Sequence, residues 1–136
     1  MKRKIKYIAI HCTGANQDQT VESIKRYWKE NLGWKDPGYH RIIDKFGNIT
    51  KLADFNDVTN GVKGFNQSSI HICYIGGQHL DNRTEEQKAK ILECIHEALE
   101  WVDAPEDIII QGHRDFPNTN KACPQFDCSE YDWITA

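Results

Sequence analysis

The sequence predicts an α/β fold, a mixed β-sheet flanked by helices, in one domain spanning residues 1–136. Short, branched apolar runs alternate with two stretches of helical periodicity, the pattern of strands crossed over by helices. A hairpin interrupts that alternation, so the strands cannot all be parallel. The length of 136 residues is that of one ordinary domain. Hydrophobic residues make up 39% of the chain and aromatics 10%, enough for a core and too much for a disordered segment.

Each element has a local reason. Lys4–Ile10 reads as the first strand, mixed at its start and apolar at its end. The preceding Met1-Lys2-Arg3-Lys4 has the charge of an export signal. Lys6 interrupts the apolar stretch, however, and His11 ends it, short of the roughly 7–15 apolar residues a signal peptide needs. We therefore expect synthesis in the cytoplasm. Thr20 caps a helix from Val21 to Leu32, with Val21, Ile24, Tyr27, Trp28 and Leu32 on one side and Gly33 as the stop. Tyr39–Asp44 and Ile49–Leu52 flank Lys45-Phe46-Gly47-Asn48 as a hairpin. A Gly/Asn/Ser-rich loop over Gly61–Ser69 leads into the strand Ile70–Ile75, which Gly76-Gly77 ends. Thr84 with Gln87 forms a capping box. Ile91, Leu92, Ile95, Leu99 and Val102 then repeat at helical spacing until Pro105 closes the helix. Ile108-Ile109-Ile110 is predicted as a buried strand, Gly112–Pro124 as a loop, and Tyr131–Ile134 as one turn of helix.

Charge excludes several functions. With 17 basic and 20 acidic residues the net charge is −3, and the chain has no electrostatic grip on nucleic acid or anionic lipid. No apolar run approaches the ~20 residues of a membrane span, so we expect no membrane insertion; a monomer is expected. Five cysteines, an odd number without an export signal, argue against a disulfide framework. Cys73 and Cys94 sit in apolar patterns and read as small buried hydrophobes.

The six histidines divide by position. His96 is expected solvated or half-buried on the long helix, His79 exposed in a polar loop, and His40 and His71 hydrogen-bonded structural residues. His11 and His113 each follow the end of an apolar strand, and ligands of open α/β sheets bind at that carboxyl edge. On adjacent parallel strands the two imidazoles would lie side by side. Cys123 comes ten residues after His113, beyond a loop containing Pro117 that can fold the thiol back. Two imidazoles and a thiolate suit zinc and leave the fourth tetrahedral position to water, the pattern of a catalytic site. The same residues also suit a nucleophilic Cys123 with His113 as base, or simple burial. Spacing alone leaves all three open.

Beyond spacing, the ordered motifs resemble those of the zinc-dependent N-acetylmuramoyl-L-alanine amidases of the type 2 amidase and peptidoglycan recognition protein superfamily, especially the small phage lysozymes. They are Ile8-Ala9-Ile10-His11-Cys12-Thr13, Gly33-Trp34 with Gly38-Tyr39-His40, and Lys63-Gly64-Phe65-Asn66 with Ser69-Ile70. Gly76-Gly77, Thr84, Gly112-His113 and Lys121-Ala122-Cys123-Pro124 with Phe126-Asp127 complete the set, which keeps chain order from residue 8 to 127. The resemblance implies one zinc ion per chain, held by His11, His113 and Cys123, with Tyr39 and Lys121 as the catalytic pair. It implies peptidoglycan or a muropeptide as partner, and zinc-activated hydrolysis of the amide between the lactyl group of N-acetylmuramic acid and L-alanine. A thiolate ligand leaves zinc a formal +1, so Lys121 would add charge for the oxyanion. Tyr39 would donate a hydrogen bond or relay a proton.

Lys63, Asn66 and Ser69 are expected along the substrate groove. Cys12, next to His11 on a strand, should point to the opposite face and is not assigned to zinc. Two positions depart from the pattern: Gly61-Val62 stands where many relatives have His-Ala, and His71 where they have Gly. A muropeptide-binding module without catalysis is the alternative, against which the presence of Cys123, Tyr39 and Lys121 speaks. The place of action is expected to be the cell wall, after release or delivery.

Overall fold

In the computed structural model, which describes residues 2–117 and 119–135, five short strands share one mixed sheet. They are β1 (Tyr7–Cys12), β2 (Arg41–Ile43), β3 (Ile49–Lys51), β4 (Ser69–Tyr74) and β5 (Ile109–Gly112), in the order β3-β2-β4-β1-β5. Only β2 and β3 are antiparallel. The Asp44 carboxylate closes their hairpin by accepting from the Phe46 and Asn48 amides at 2.9 Å, and Gly47 takes a φ of 87° there. The central strand β4 is buried along its whole length, the property of a parallel strand covered on both faces.

Alternation sends the two sets of side chains to different layers. Ile8 and Ile10 of β1, Ile43 of β2 and Ile70, Ile72 and Tyr74 of β4 pack against Ile91, Cys94, Ile95 and Ala98 of α2 (Glu85–Trp101). On the opposite face Ile42, Cys73 and Ile75 meet Ile24 and Trp28 of α1 (Val21–Glu30). The predicted capping box is present at Thr84. Its Gln87 is buried and also donates to the Ile43 and Ile75 carbonyls at 3.3 and 2.9 Å, tying the helix start to the ends of β2 and β4.

Several expected boundaries move. Pairing carries β1 past Ile10, so His11 lies within the strand instead of after it. α1 stops at Glu30 and leaves Leu32 41% exposed. β5 extends to Gly112, and its Ile109 faces solvent because β5 is an edge strand; only Ile108 and Ile110 are buried. The tail forms a 3₁₀ helix over Cys128–Ile134, longer than the turn expected. Asn118 of the expected loop lies outside the described residues. All five cysteines are free thiols. Among the described residues no helix is long and apolar enough to cross a membrane.

Candidate metal centre

The site is built on the face of the sheet that α1 only partly covers. Tyr7, Ala9 and His11 of β1 share that face with Ser69, His71 and Cys73 of β4. Toward the start of the strands it is floored by Tyr7, Phe65 and Phe116, whose ring centroids lie 5.0–5.8 Å apart. Farther along, four imidazoles form a row across the sheet. His40 stacks on His71 at 5.9 Å, His71 meets His11 edge-on at 4.9 Å, and His11 meets His113 at 5.0 Å.

His113 enters because β1 and β5 are parallel neighbours, with Ile10 opposite Gly112. It opens a 3₁₀ turn that Asp115 caps by accepting from the Gly112 amide at 2.9 Å. The chain then returns to the same strand end: the Arg114 amide donates to the Cys123 carbonyl at 2.8 Å. A Cβ at Gly112 would overlap the Pro124 ring, so a glycine lets this loop close against β5. The Cys123 sulfur accepts the Cys12 amide at 3.0 Å, and the Cys12 thiol, buried in the core, also reaches the Cys123 thiol and the cleft.

The result is that one donor atom from each of His11, His113 and Cys123 lies within 4.8 Å of the other two. Among the described residues this is the one such group of histidine, cysteine or carboxylate side chains found. Zinc bonds of about 2.0–2.3 Å put tetrahedral donors about 3.3–3.6 Å apart, so side-chain movements of no more than about an ångström let the three share an ion. Their chemistry fits as well. Burial, and then the neighbouring imidazoles, hold His11 well below the usual histidine range, so it stays neutral as a metal ligand must. Burial and then Lys121 lower His113. The Cys12 thiol and burial push the Cys123 thiol upward, and a bound cation is what would turn it into a thiolate.

Tyr39 and Lys121 line the same cleft of about 550 Å³ as His113 and Cys123. The half-buried Tyr39 ring packs on His11 at 4.9 Å and Trp28 at 5.5 Å. Burial, with Cys73 beside it, raises its phenol well above the usual range, so it holds its proton. Lys121 is exposed at the rim. The other expected groove residues are placed differently. Lys63 is exposed and Ser69 is fully buried, its hydroxyl donating to the Phe65 carbonyl at 2.7 Å. Asn66 braces its own loop by accepting from the Val62 amide at 2.7 Å. Not one of the three lines the cleft. Ser69 and Asn66 instead shape the loop that backs the imidazole row.

His40 and His71 are hydrogen-bonded and buried, as their strand patterns predict, but their link to the metal centre was not legible. The two departures from the family pattern meet here, since a Cβ at Gly61 would overlap the His71 ring. Arg3, in sequence part of the basic run Lys2-Arg3-Lys4, anchors the loop behind the site. Its guanidinium donates to the Phe55, Asn66, Gln67 and Ser69 carbonyls at 2.8–3.2 Å. A lone arginine before a strand carries no signal of that role.

Comparison with known proteins is consistent with this geometry. Residues 1–126 match the family described as N-acetylmuramoyl-L-alanine amidase. The endolysin of Enterobacteria phage K11 is 34% identical over 129 residues, 90% of this chain and 82% of the relative. The peptidoglycan-recognition protein SC2 of Drosophila melanogaster is 26% identical over 88% of this chain and 68% of its own length. Among solved structures, the Ph2119 endolysin from Thermus scotoductus MAT2119 bacteriophage Ph2119 superposes with a TM-score of 0.83 at 21% identity, covering 100% of this chain and 88% of that one.

Proposed function

The chain belongs to the N-acetylmuramoyl-L-alanine amidase family, and from that premise we propose that it is a zinc-dependent peptidoglycan hydrolase. It cuts the amide between the lactyl group of N-acetylmuramic acid and the L-alanine of the stem peptide, and so acts on the cell wall. The observation that carries this reading is the convergence of His11, His113 and Cys123, the last two lining a cleft that Tyr39 and Lys121 also line.

His11, His113 and Cys123 would hold one zinc ion. When bound, zinc supplies Lewis acidity, polarising a carbonyl and making water acidic enough to attack near neutral pH. The chain's own groups complete the reaction. The Lys121 ammonium, carried at the cleft rim two residues before Cys123, faces the carbonyl oxygen as it gains negative charge. The Tyr39 phenol, kept protonated by burial, donates a hydrogen bond to that oxygen or passes its proton to the leaving alanine nitrogen. Tyr39 is fixed for this by packing between His11 and Trp28. A nucleophilic Cys123 would need a lowered thiol pKa, and here Cys12 and burial move it the other way.

The test is product analysis of purified peptidoglycan after digestion. New free amino groups on L-alanine are expected, with no new reducing sugar ends. A strong chelator should stop their release and added zinc should restore it. Reducing ends in their place, or release that survives the chelator and dies on thiol alkylation, would overturn the reading.

A further inference from the structure

We infer that His71 is the positioning residue for the metal ligand His11: it accepts the proton of His11 Nε2 and thereby turns the lone pair of His11 Nδ1 toward the ion. The inference rests on the zinc reading above only for the identity of the ion. The hydrogen-bond chain that supports it starts from a donor of fixed character. The Val62 amide donates to the Asn66 side chain at 2.7 Å, so the accepting atom there is the oxygen, Oδ1. That oxygen lies 2.9 Å from His71 Nε2, which must then carry the ring proton. A ring protonated at Nε2 presents a lone pair at Nδ1, and His71 Nδ1 lies 2.9 Å from His11 Nε2. His11 Nε2 is therefore the donor of that bond, and Nδ1 is the atom left to bind.

Neighbouring contacts hold the relay in place. The His71 amide donates to His40 Nδ1 at 3.0 Å, and His40 Nε2 lies 2.7 Å from the Asp57 carbonyl and 3.0 Å from the Arg3 guanidinium. Gly61 leaves the room that the His71 ring occupies, since a Cβ there would overlap it. Metal-binding histidines usually give their second N–H to a carboxylate, carbonyl or water. Here a buried imidazole takes that part, with Asn66 fixing its tautomer.

Three variants test this. His71→Leu removes the acceptor, His71→Asn keeps an oxygen close to where Nδ1 stands, and Gly61→Ala pushes the ring aside. Zinc dissociation constants come from competition with a chromogenic chelator, and the His11 tautomer in metal-free protein from long-range ¹H–¹⁵N spectra. His71→Leu and Gly61→Ala should weaken zinc by about 10–100-fold, and His71→Asn by less than about threefold, the range for losing or keeping an orienting partner. In wild type His11 should be protonated at Nε2, a preference lost in His71→Leu and kept in His71→Asn. Equal zinc affinity in His71→Leu and wild type, or a His11 proton on Nδ1, would overturn the assignment. Should His71→Leu fail to fold, the wild-type spectrum and the other two variants decide. A wild type that binds no zinc defeats the zinc reading, while the spectra of metal-free protein still decide the role of His71.

Discussion

Cys123→Ser is expected to lose its zinc, and with it measurable hydrolysis. A neutral hydroxyl cannot replace a thiolate, and the two remaining imidazoles leave half the coordination shell to water. The loss in zinc affinity should exceed about 100-fold, the upper end of what removing an outer-shell partner costs. Lys121→Ala should behave differently. It removes a cation from the rim but no ligand, so zinc stays at one per chain while kcat falls by about 10²–10³, the effect of losing one oxyanion donor. Zinc analysis of both purified variants beside their turnover separates the two roles. A lysine variant that loses zinc, or a serine variant that keeps both zinc and activity, contradicts the assignment.

The second large effect is a loss of stability in mild acid, measured with chelator present so that metal release does not contribute. Burial lowers His40 to about 4 in the folded protein, while an unfolded histidine titrates near 6.5. The unfolded chain therefore binds the proton first as pH falls, which favours unfolding. The contribution is complete above about pH 6.5, shrinks as pH falls toward 4, and is gone below that. For His40 alone it amounts to about 3 kcal/mol at 1.36 kcal/mol per unit. His11 and His71 are also held well below their usual range, burial being the main cause in each, and act in the same direction. Against a typical 5–15 kcal/mol of total stability, the fold should be marginal by about pH 4–5. Urea unfolding at intervals from pH 7.5 to 4 checks this, and a flat profile down to pH 5 would contradict it.

Much of this architecture was legible because local chemistry and tertiary structure agree. Thr84 and Gln87 announce α2, the turn residues Lys45-Phe46-Gly47-Asn48 announce the hairpin, and the branched run at 108–110 announces β5. The convergence of His11 and His113 followed from placing two apolar strands side by side. What escaped has a common cause. The reach of Arg3 across to the loop before β4, and the diagonal contact of His71 with His11 from the neighbouring strand, depend on register between segments far apart in sequence. Register is not written in either segment alone. The place of Ser69 depends on the same register: in sequence it ends a polar loop, but in the fold it opens the central strand and is wholly buried. Leu32 kept helical phase with its neighbours, yet the helix ended before it and left it in the cleft wall.

X-ray absorption at the zinc edge of the purified, zinc-loaded protein bears most directly on the centre itself. One sulfur near 2.3 Å should appear, with the other ligands nitrogen or oxygen near 2.0–2.1 Å, two of them showing the outer-shell scattering of imidazole. A shell without sulfur, or one with a second sulfur closing the free corner, would contradict a catalytic site built from His11, His113 and Cys123.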